Sequence, residues 1–367
     1  MSRARRRRAR VELTRLVIAA VVLAAAAPVH ADGELTLRHV YYKERATRVQ
    51  QPMLDGTFEL GDNGIIVGHA LVDAISSASS ASGADATAFT ERRYEVGAGY
   101  THQLSGLRLG AQGRFSTEPD YRSIFGGARI ELELFEKNLV IGLGGNAGRD
   151  HVTNAGAQDP LAMNAIEGDL TTALGSISVT QLLSSDAVVS VTYDVAYLKG
   201  FQQNPYRSAI TDMGLLAEIH PGKRTRHAIA GSGRYYVQRT RTALIGGYRY
   251  YRDDWGVHAH TPELRVIQEA GSGVEFGARY RFHSQDRADF YAERYLGTEA
   301  YRSDDVKLSD FSSHMLEGKL GVIGDVFGLT GRWQDARAEV LLQYVAQSNR
   351  FGNAIVAQAA LTVPFSY

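Results

Sequence analysis

Apolar side chains recur at every second position in stretch after stretch of this chain, and no other feature narrows the fold as much. Successive side chains point to opposite faces of a β-strand, so strict alternation marks a strand with one apolar and one polar face. In 189–197 the apolar set is Val189, Val191, Tyr193, Val195 and Tyr197, against Ser190, Thr192, Asp194 and Ala196. In 274–283, Val274, Phe276, Ala278, Tyr280 and Phe282 oppose Glu275, Gly277, Arg279, Arg281 and His283. Leu107, Leu109, Ala111 and Phe115 oppose Arg108, Gln112 and Arg114, while Ile130, Leu132 and Leu134 oppose Arg129, Glu131 and Glu133. Many of these segments run to ten residues or more, longer than the five or six usual in soluble sheets and long enough to cross a bilayer at a tilt.

Turn signals separate the segments: D-N-G at 62–64, L-S-G at 104–106, E-K-N at 136–138, S-S-D at 184–186, P-G-K at 221–223 and G-S-G at 271–273. Longer polar connections lie at 76–93, 151–168, 200–206 and 285–311. Short turns alternating with long loops are the asymmetry of an outer-membrane barrel, short on the periplasmic side and long outside. The expected fold is therefore all-β: a transmembrane antiparallel up-and-down barrel. Segments starting near 34, 48, 64, 94, 107, 122, 138, 169, 187, 207, 225, 243, 262, 273, 312, 336 and 353 number about seventeen. Bacterial single-chain barrels use even numbers, so sixteen strands are expected, within a range of 14–18. The surplus is assigned to the first segment, or is offset by a strand missed between 286 and 308.

The ends agree with this class. Seven arginines precede an apolar run, Leu16 to Ala27, and Val29 and Ala31 are small residues suited to a cleavage site. Residues 1–31 are expected to be a signal peptide cleaved before Asp32, leaving 32–367 as the barrel. The run is about a dozen residues, short of the ~20 that span a bilayer as a helix. At the other end, Leu361, Val363, Phe365 and Tyr367 alternate with Thr362 and Ser366, which resembles the C-terminal strand of Gram-negative outer-membrane barrels that their assembly machinery reads. The expected location is the bacterial outer membrane, with its lipid and that machinery as partners.

Charge and composition exclude several functions. The whole chain carries 40 basic and 40 acidic residues; without the leader it has 33 against 39. Nucleic acid, which requires a clustered basic surface, is not expected as a partner. With no cysteine there is no disulfide, thiolate ligand or thiol nucleophile. The polar faces predict a lumen lined by Arg108, Arg114, Arg129, Arg234, Arg279, Arg281, Lys319 and Arg337, with Glu131, Glu133, Asp194, Glu275, Glu317 and Glu339 among them. A pore selective for one sign would show a ring of that sign. A mixed lining suits either a polar lumen for weakly charged solutes or a wall of ion pairs with no cargo. Hydrolase chemistry has only neighbouring pairs to draw on, Ser312, Ser313 and His314 or His283 with Ser284, and no G-x-S-x-G or H-E-x-x-H signature. No enzyme is expected.

The densest chemistry is in YYRDDWGVHAH, 250–260. Alternation through Leu244, Tyr248 and Tyr250 turns Arg249, Tyr251 and Asp253 inward. Counted back from Leu264, His258 and His260 would face outward unless Pro262 marks a bulge that resets the register. With the reset, both imidazoles face the lumen beside Asp253 or Asp254, a ligand set for a divalent metal such as zinc, copper or nickel. Without it, the stretch is a charged turn in which Arg252 pairs with Asp253 or Asp254 and Trp255 anchors the membrane interface. No other cofactor is indicated.

HALVDAISSAS near the start, YRYYRDDWGVHAHT at 248–261 and ADFYAERY at 288–295 together resemble an uncharacterised family of Gram-negative outer-membrane proteins, a domain of unknown function carrying D-x-I-S-x-A-S and Y-Y-R-D-D-W-G in that order. The resemblance covers most of the mature chain. It implies an outer-membrane barrel, and neighbours that include periplasmic redox proteins and a small lipoprotein; it supplies no catalytic residues. Two functions are then expected to compete: a porin-like channel for small hydrophilic solutes or metal complexes, and a non-conducting barrel that serves as scaffold for a periplasmic redox or metal-handling system.

Overall fold

A computed structural model of the chain describes residues 32–45, 47–77, 89–153, 166–205 and 207–366. The expected leader at 1–31 and most of the serine- and alanine-rich stretch 74–84 lie outside the described residues. The strands are β1 (Gly33–Lys43), β2 (Thr47–Leu60), β3 (Gly64–Ser77), β4 (Phe89–Leu104), β5 (Leu107–Thr117), β6 (Tyr121–Leu134), β7 (Leu139–Thr153), β8 (Glu167–Ser184) and β9 (Ala187–Gly200). After them come the short β10 (Ser208–Thr211) and β11 (Gly214–Ala217). The second half holds β12 (Lys223–Val237), β13 (Thr242–Asp253), β14 (His258–Ala270), β15 (Val274–Gln285), β16 (Phe311–Ile323), β17 (Arg337–Gln347) and β18 (Ala354–Phe365).

Sixteen of these form one closed antiparallel barrel in which every strand pairs with its barrel neighbours in sequence and β18 pairs back onto β1. Closure pairs every strand along both edges, so none offers a free ladder of N–H and C=O groups. The surplus segment of the sequence count is the one near 207, not the first: β10 and β11 form a separate hairpin outside the wall.

The two rims differ. At one, which carries Gly33 and Phe365, strands are joined by the connections at 61–63, 105–106, 135–138, 185–186, 238–241 and 271–273; this is the turn end. The connection 324–336 at the same rim is longer and includes two short 3-10 turns. At the opposite, loop end lie the connections 201–222 and 286–310. P-G-K at 221–223 is therefore no hairpin turn; it closes the long 201–222 loop. Phe135, Glu136 and Lys137 are all left-handed, with φ of 51°, 56° and 69°. Three such non-glycine residues in a row are costly, roughly 1–2 kcal/mol each, and the Asn138 side-chain amide, donating to the Phe135 carbonyl at 2.8 Å, helps to hold that turn.

Register is continuous from strand to strand, the one irregularity being a shift between Leu182 and Ser184 at the turn end. One face of the wall can therefore be followed all the way round. It is rich in exposed Leu, Ile, Val, Phe and Tyr, such as Leu37, Val96, Ile124, Leu143, Val191, Leu264, Leu316 and Leu342. The other carries most of the wall's ion pairs. We call these the outer and inner faces.

Candidate functional site: the lumen and its cap

The inner face is a wall of cross-strand ion pairs. Near the turn end, Arg108 reaches Glu131 at 3.1 Å and Glu133 at 3.2 Å, Lys137 pairs with Glu133 at 3.3 Å, and Arg129 bonds Glu131. On the opposite side, Glu275 and Glu339 hold Lys319 and Arg337 at 2.6–3.5 Å. Above them Arg279 is bonded to Glu263 and lies 3.7 Å from Glu317. A second cluster joins β2 to β5: the His69 ring sits 2.6 Å from Asp55 and 3.8 Å from Glu95, which is 3.5 Å from Arg114. The register carries all fourteen charges expected in the lumen to this face. Asp55, His69 and Glu95 belong with them and were missed as lumen candidates, and Glu263 joins them; the same alternation carries all four.

Between these clusters the wall is built of small residues. Gly127, Gly142, Gly144, Asn146, Ser176, Ser178 and Thr192 line a cavity of about 470 Å³ together with Gln112 and Asp194. It shares Thr101, Gly110 and Arg129 with a cavity of about 500 Å³ at the turn end. It shares Gly99 and Gln112 with one of about 660 Å³ beside Asp55, His69 and Arg114. Open space thus runs as a chain along the β2–β9 side.

The other side is roofed. The connections 201–222 and 286–310 pair with each other through Thr211 and Tyr295 and through Ile219 and Arg302. Trp255, Val257, Ala288, Tyr291 and Leu308 make an apolar core there, with Tyr251 and Phe290 against it. The core brings together two sequence motifs. YYRDDWG supplies Tyr251 and Trp255; ADFYAERY supplies Ala288, Phe290 and Tyr291; the Asp289 N–H donates to the Trp255 carbonyl at 2.8 Å. Gly256 sits at φ 86°, and a Cβ there would run into the Asp289 carboxylate.

Asp253 organises the junction between cap and wall. Its side chain is wholly buried. One oxygen accepts from Arg224 Nε at 2.8 Å, from a second Arg224 nitrogen and from the Tyr251 hydroxyl at 2.6 Å; the other accepts the N–H groups of Trp255 at 3.0 Å and Val257 at 3.1 Å. The Arg224 guanidinium lies 4.1 Å from the Trp255 ring centre, and the indole N–H donates to the Lys223 carbonyl at 2.9 Å. Trp255 is thus a cap residue and no membrane anchor, and Asp253 pairs with Arg224, not Arg252.

Deeper in the cap, Glu218, His220 and Ser303 are buried together. The Ser303 hydroxyl lies 2.9 Å from His220 Nε2 and 3.0 Å from Glu218, while His220 Nδ1 donates to the Gln202 carbonyl at 3.2 Å. Both gaps beside Ser303 need a proton and its hydroxyl has one, so either Glu218 or His220 carries another. Burial raises the Glu218 pKa and lowers that of His220 to about 4, both shifts favouring the uncharged form. Ser303 cannot act as a nucleophile, being fully buried. A further tie runs to the β17–β18 connection, where Arg350 bonds Asp304 at 2.5 Å.

The expected metal set does not form. Pairing from Thr242↔Gln268 to Arg252↔His258 passes Pro262 without a shift, so the register is not reset. His258 and His260 consequently stand on the outer face, where they bond the hydroxyls of Tyr250 at 2.9 Å and Tyr248 at 2.5 Å. Asp253 lies inside, and Asp254 accepts the Thr225 N–H at 2.9 Å. Among the described residues no group of three or more His, Cys, Asp and Glu could hold a metal ion. The serine–histidine neighbours are split likewise: Ser284 faces out and His283 in, Ser313 in and His314 out, and His314 bonds Tyr280.

A family model described as a protein of unknown function, DUF3570, matches residues 84–322. The chain belongs to this family. The DUF3570 match takes in both cap loops and the junction at Asp253. Curated proteins give no match. Among solved structures, a bacterial polysaccharide outer membrane secretin is similar over 92% of this chain and 99% of its own, with 10% identity and a TM-score of 0.53. Acinetobacter baumannii OccAB1 aligns over 91% and 96% with 12% identity and a TM-score of 0.49. Pseudomonas aeruginosa OccK2 (OpdF), in complex with glucuronate, aligns over 92% and 98% with 12% identity and a TM-score of 0.45. The likeness to the secretin is one of fold, and DUF3570 here shares that barrel architecture.

Proposed function

We propose that this protein spans the bacterial outer membrane and passes small hydrophilic solutes through its lumen. One observation carries the reading: the chain of polar cavities along the β2–β9 wall, lined by glycine, serine, threonine and asparagine where large side chains would fill the space. The apolar outer face supports a lipid surround, because so many exposed Leu, Val, Ile and Phe side chains on a closed wall have no aqueous role. The ion-paired inner wall leaves no ring of a single sign, so the favoured cargo is neutral or weakly charged. With both histidines on the outer face, the argument for metal complexes loses its ligands.

Purified protein reconstituted into planar bilayers tests this. Discrete ohmic steps with weak ion selectivity are expected, and small ones, since the cap roofs part of the mouth. Folded barrels that never conduct would replace the channel by the scaffold reading.

A further inference from the structure

Charged side chains on the outer face are not spread evenly between the two rims. Following the continuous register, Lys43 of β1 lies opposite Arg48 of β2, Lys199 of β9 opposite Lys223 of β12, and Arg252 of β13 between His227 and His258. Arg92, Arg122 and Arg149 continue the set on β4, β6 and β7. All eight basic residues point outward at the loop end, and all are exposed. Arg149 is held by Asp169 at 2.6 Å; among the described residues none of the other seven is in an ion pair. Glu167 and Asp169 are the only acidic residues on the outer face of the barrel strands, and the turn-end half of that face carries no Lys, Arg, Asp or Glu.

A tyrosine stands one outward position closer to the barrel's middle beside several of these bases: Tyr41 with Lys43, Tyr94 with Arg92, Tyr197 with Lys199, Tyr250 with Arg252. Amphipathic rings mark the level where hydrocarbon gives way to headgroups. Basic side chains just beyond that level stand where phosphates would be.

From this juxtaposition we propose that the basic collar binds the phosphates of a phosphorylated glycolipid in the leaflet at the loop end. The inference rests on the membrane-spanning reading above. A collar confined to one rim fits an asymmetric bilayer whose phosphorylated glycolipid lies in the outer leaflet only, and the outer leaflet is the one beside the long loops.

The test uses full-length protein folded into phosphatidylcholine vesicles containing bis-phosphorylated lipid A, with lipid carried through re-extraction and counted by native mass spectrometry. Two charge-neutral triple variants are compared, Lys43→Gln/Arg48→Gln/Arg92→Gln and Lys199→Gln/Lys223→Gln/Arg252→Gln. Each basic group near an anionic surface is worth roughly fivefold in binding, so each variant should retain on the order of a hundredfold less lipid A, and wild-type retention should fall with salt. Unchanged retention by both variants would overturn the proposal, as would equal wild-type retention of dephosphorylated lipid A or of phosphatidylglycerol. Folding into pure phosphatidylcholine is scored separately by heat-modified gel mobility. A wild-type chain that fails there sinks the membrane reading itself, while a normal fold with no lipid A preference sinks only the collar.

Discussion

Asp253 shows how one side chain can tie wall to roof. Its carboxylate serves three side-chain and two backbone donors with none of its surface exposed. Asp253→Ala should destabilise the folded protein by about 3–5 kcal/mol, because it leaves the buried Arg224 guanidinium without a counter-ion. Urea unfolding from lipid vesicles measures this, and Asp253→Ala/Arg224→Met should recover much of the loss. Glu218 and His220 set a pH dependence in the cap. Glu218's raised pKa means the closed form holds a proton the open form releases, so closure weakens as pH rises from 4.5 through that raised value. His220, lowered from 6.5 to about 4, acts oppositely: its contribution is full above 6.5 and lost as pH falls through about 4. Trp255 fluorescence in a Trp333→Phe background should therefore report loss of closure on both limbs, and His220→Asn should remove the acid one. A signal flat from pH 4 to 9 would contradict the buried network. None of this was legible in the sequence, since 218, 220 and 303 follow no periodicity and meet only in the folded cap. Alternation did fix the faces of Tyr250, His258 and His260; adding a bulge at Pro262 spoiled a parity that was already right. Proline there interrupts the β14–β15 ladder at Thr261 and Pro262, yet the pairing resumes beyond the gap in the same register.

At the level of elements, strands were readable because each carries its own period-two record, and the tight turns between them because their residues favour reversal. Loops carry no such record. The hairpin at 208–217 reads locally like any strand pair, and only its pairing partners show that it belongs to the cap. Two motifs quoted for a family resemblance, YYRDDWG and ADFYAERY, prove to be the two sides of one apolar core. Replacing 286–310 by a short turn should leave the barrel closed, because the β15–β16 ladder pairs independently of the loop. It would strip the cover from Trp255, and single-channel conductance should rise severalfold. An unchanged conductance would mean that the cap stands clear of the conducting path.

Across the whole molecule, the strand number and the inward set of charges follow from alternation plus closure. The division of labour around the circumference does not. β2 to β9 leave space at the inner wall, while β12 to β17 carry the denser ion pairs and the roof, a difference set by side-chain volume at Gly142, Gly144, Ser176 and Ser178 rather than by polarity. The same asymmetry has a temporal side. Glu218 and Ser303 lie 85 positions apart, and the loops that hold them enter with different hairpins, so their meeting waits until β12 to β15 stand in the wall. If the barrel conducts as proposed, a newly inserted one would pass through a stage with its mouth unroofed, and the interval before the cap docks would be when a cell is most exposed to leakage through it.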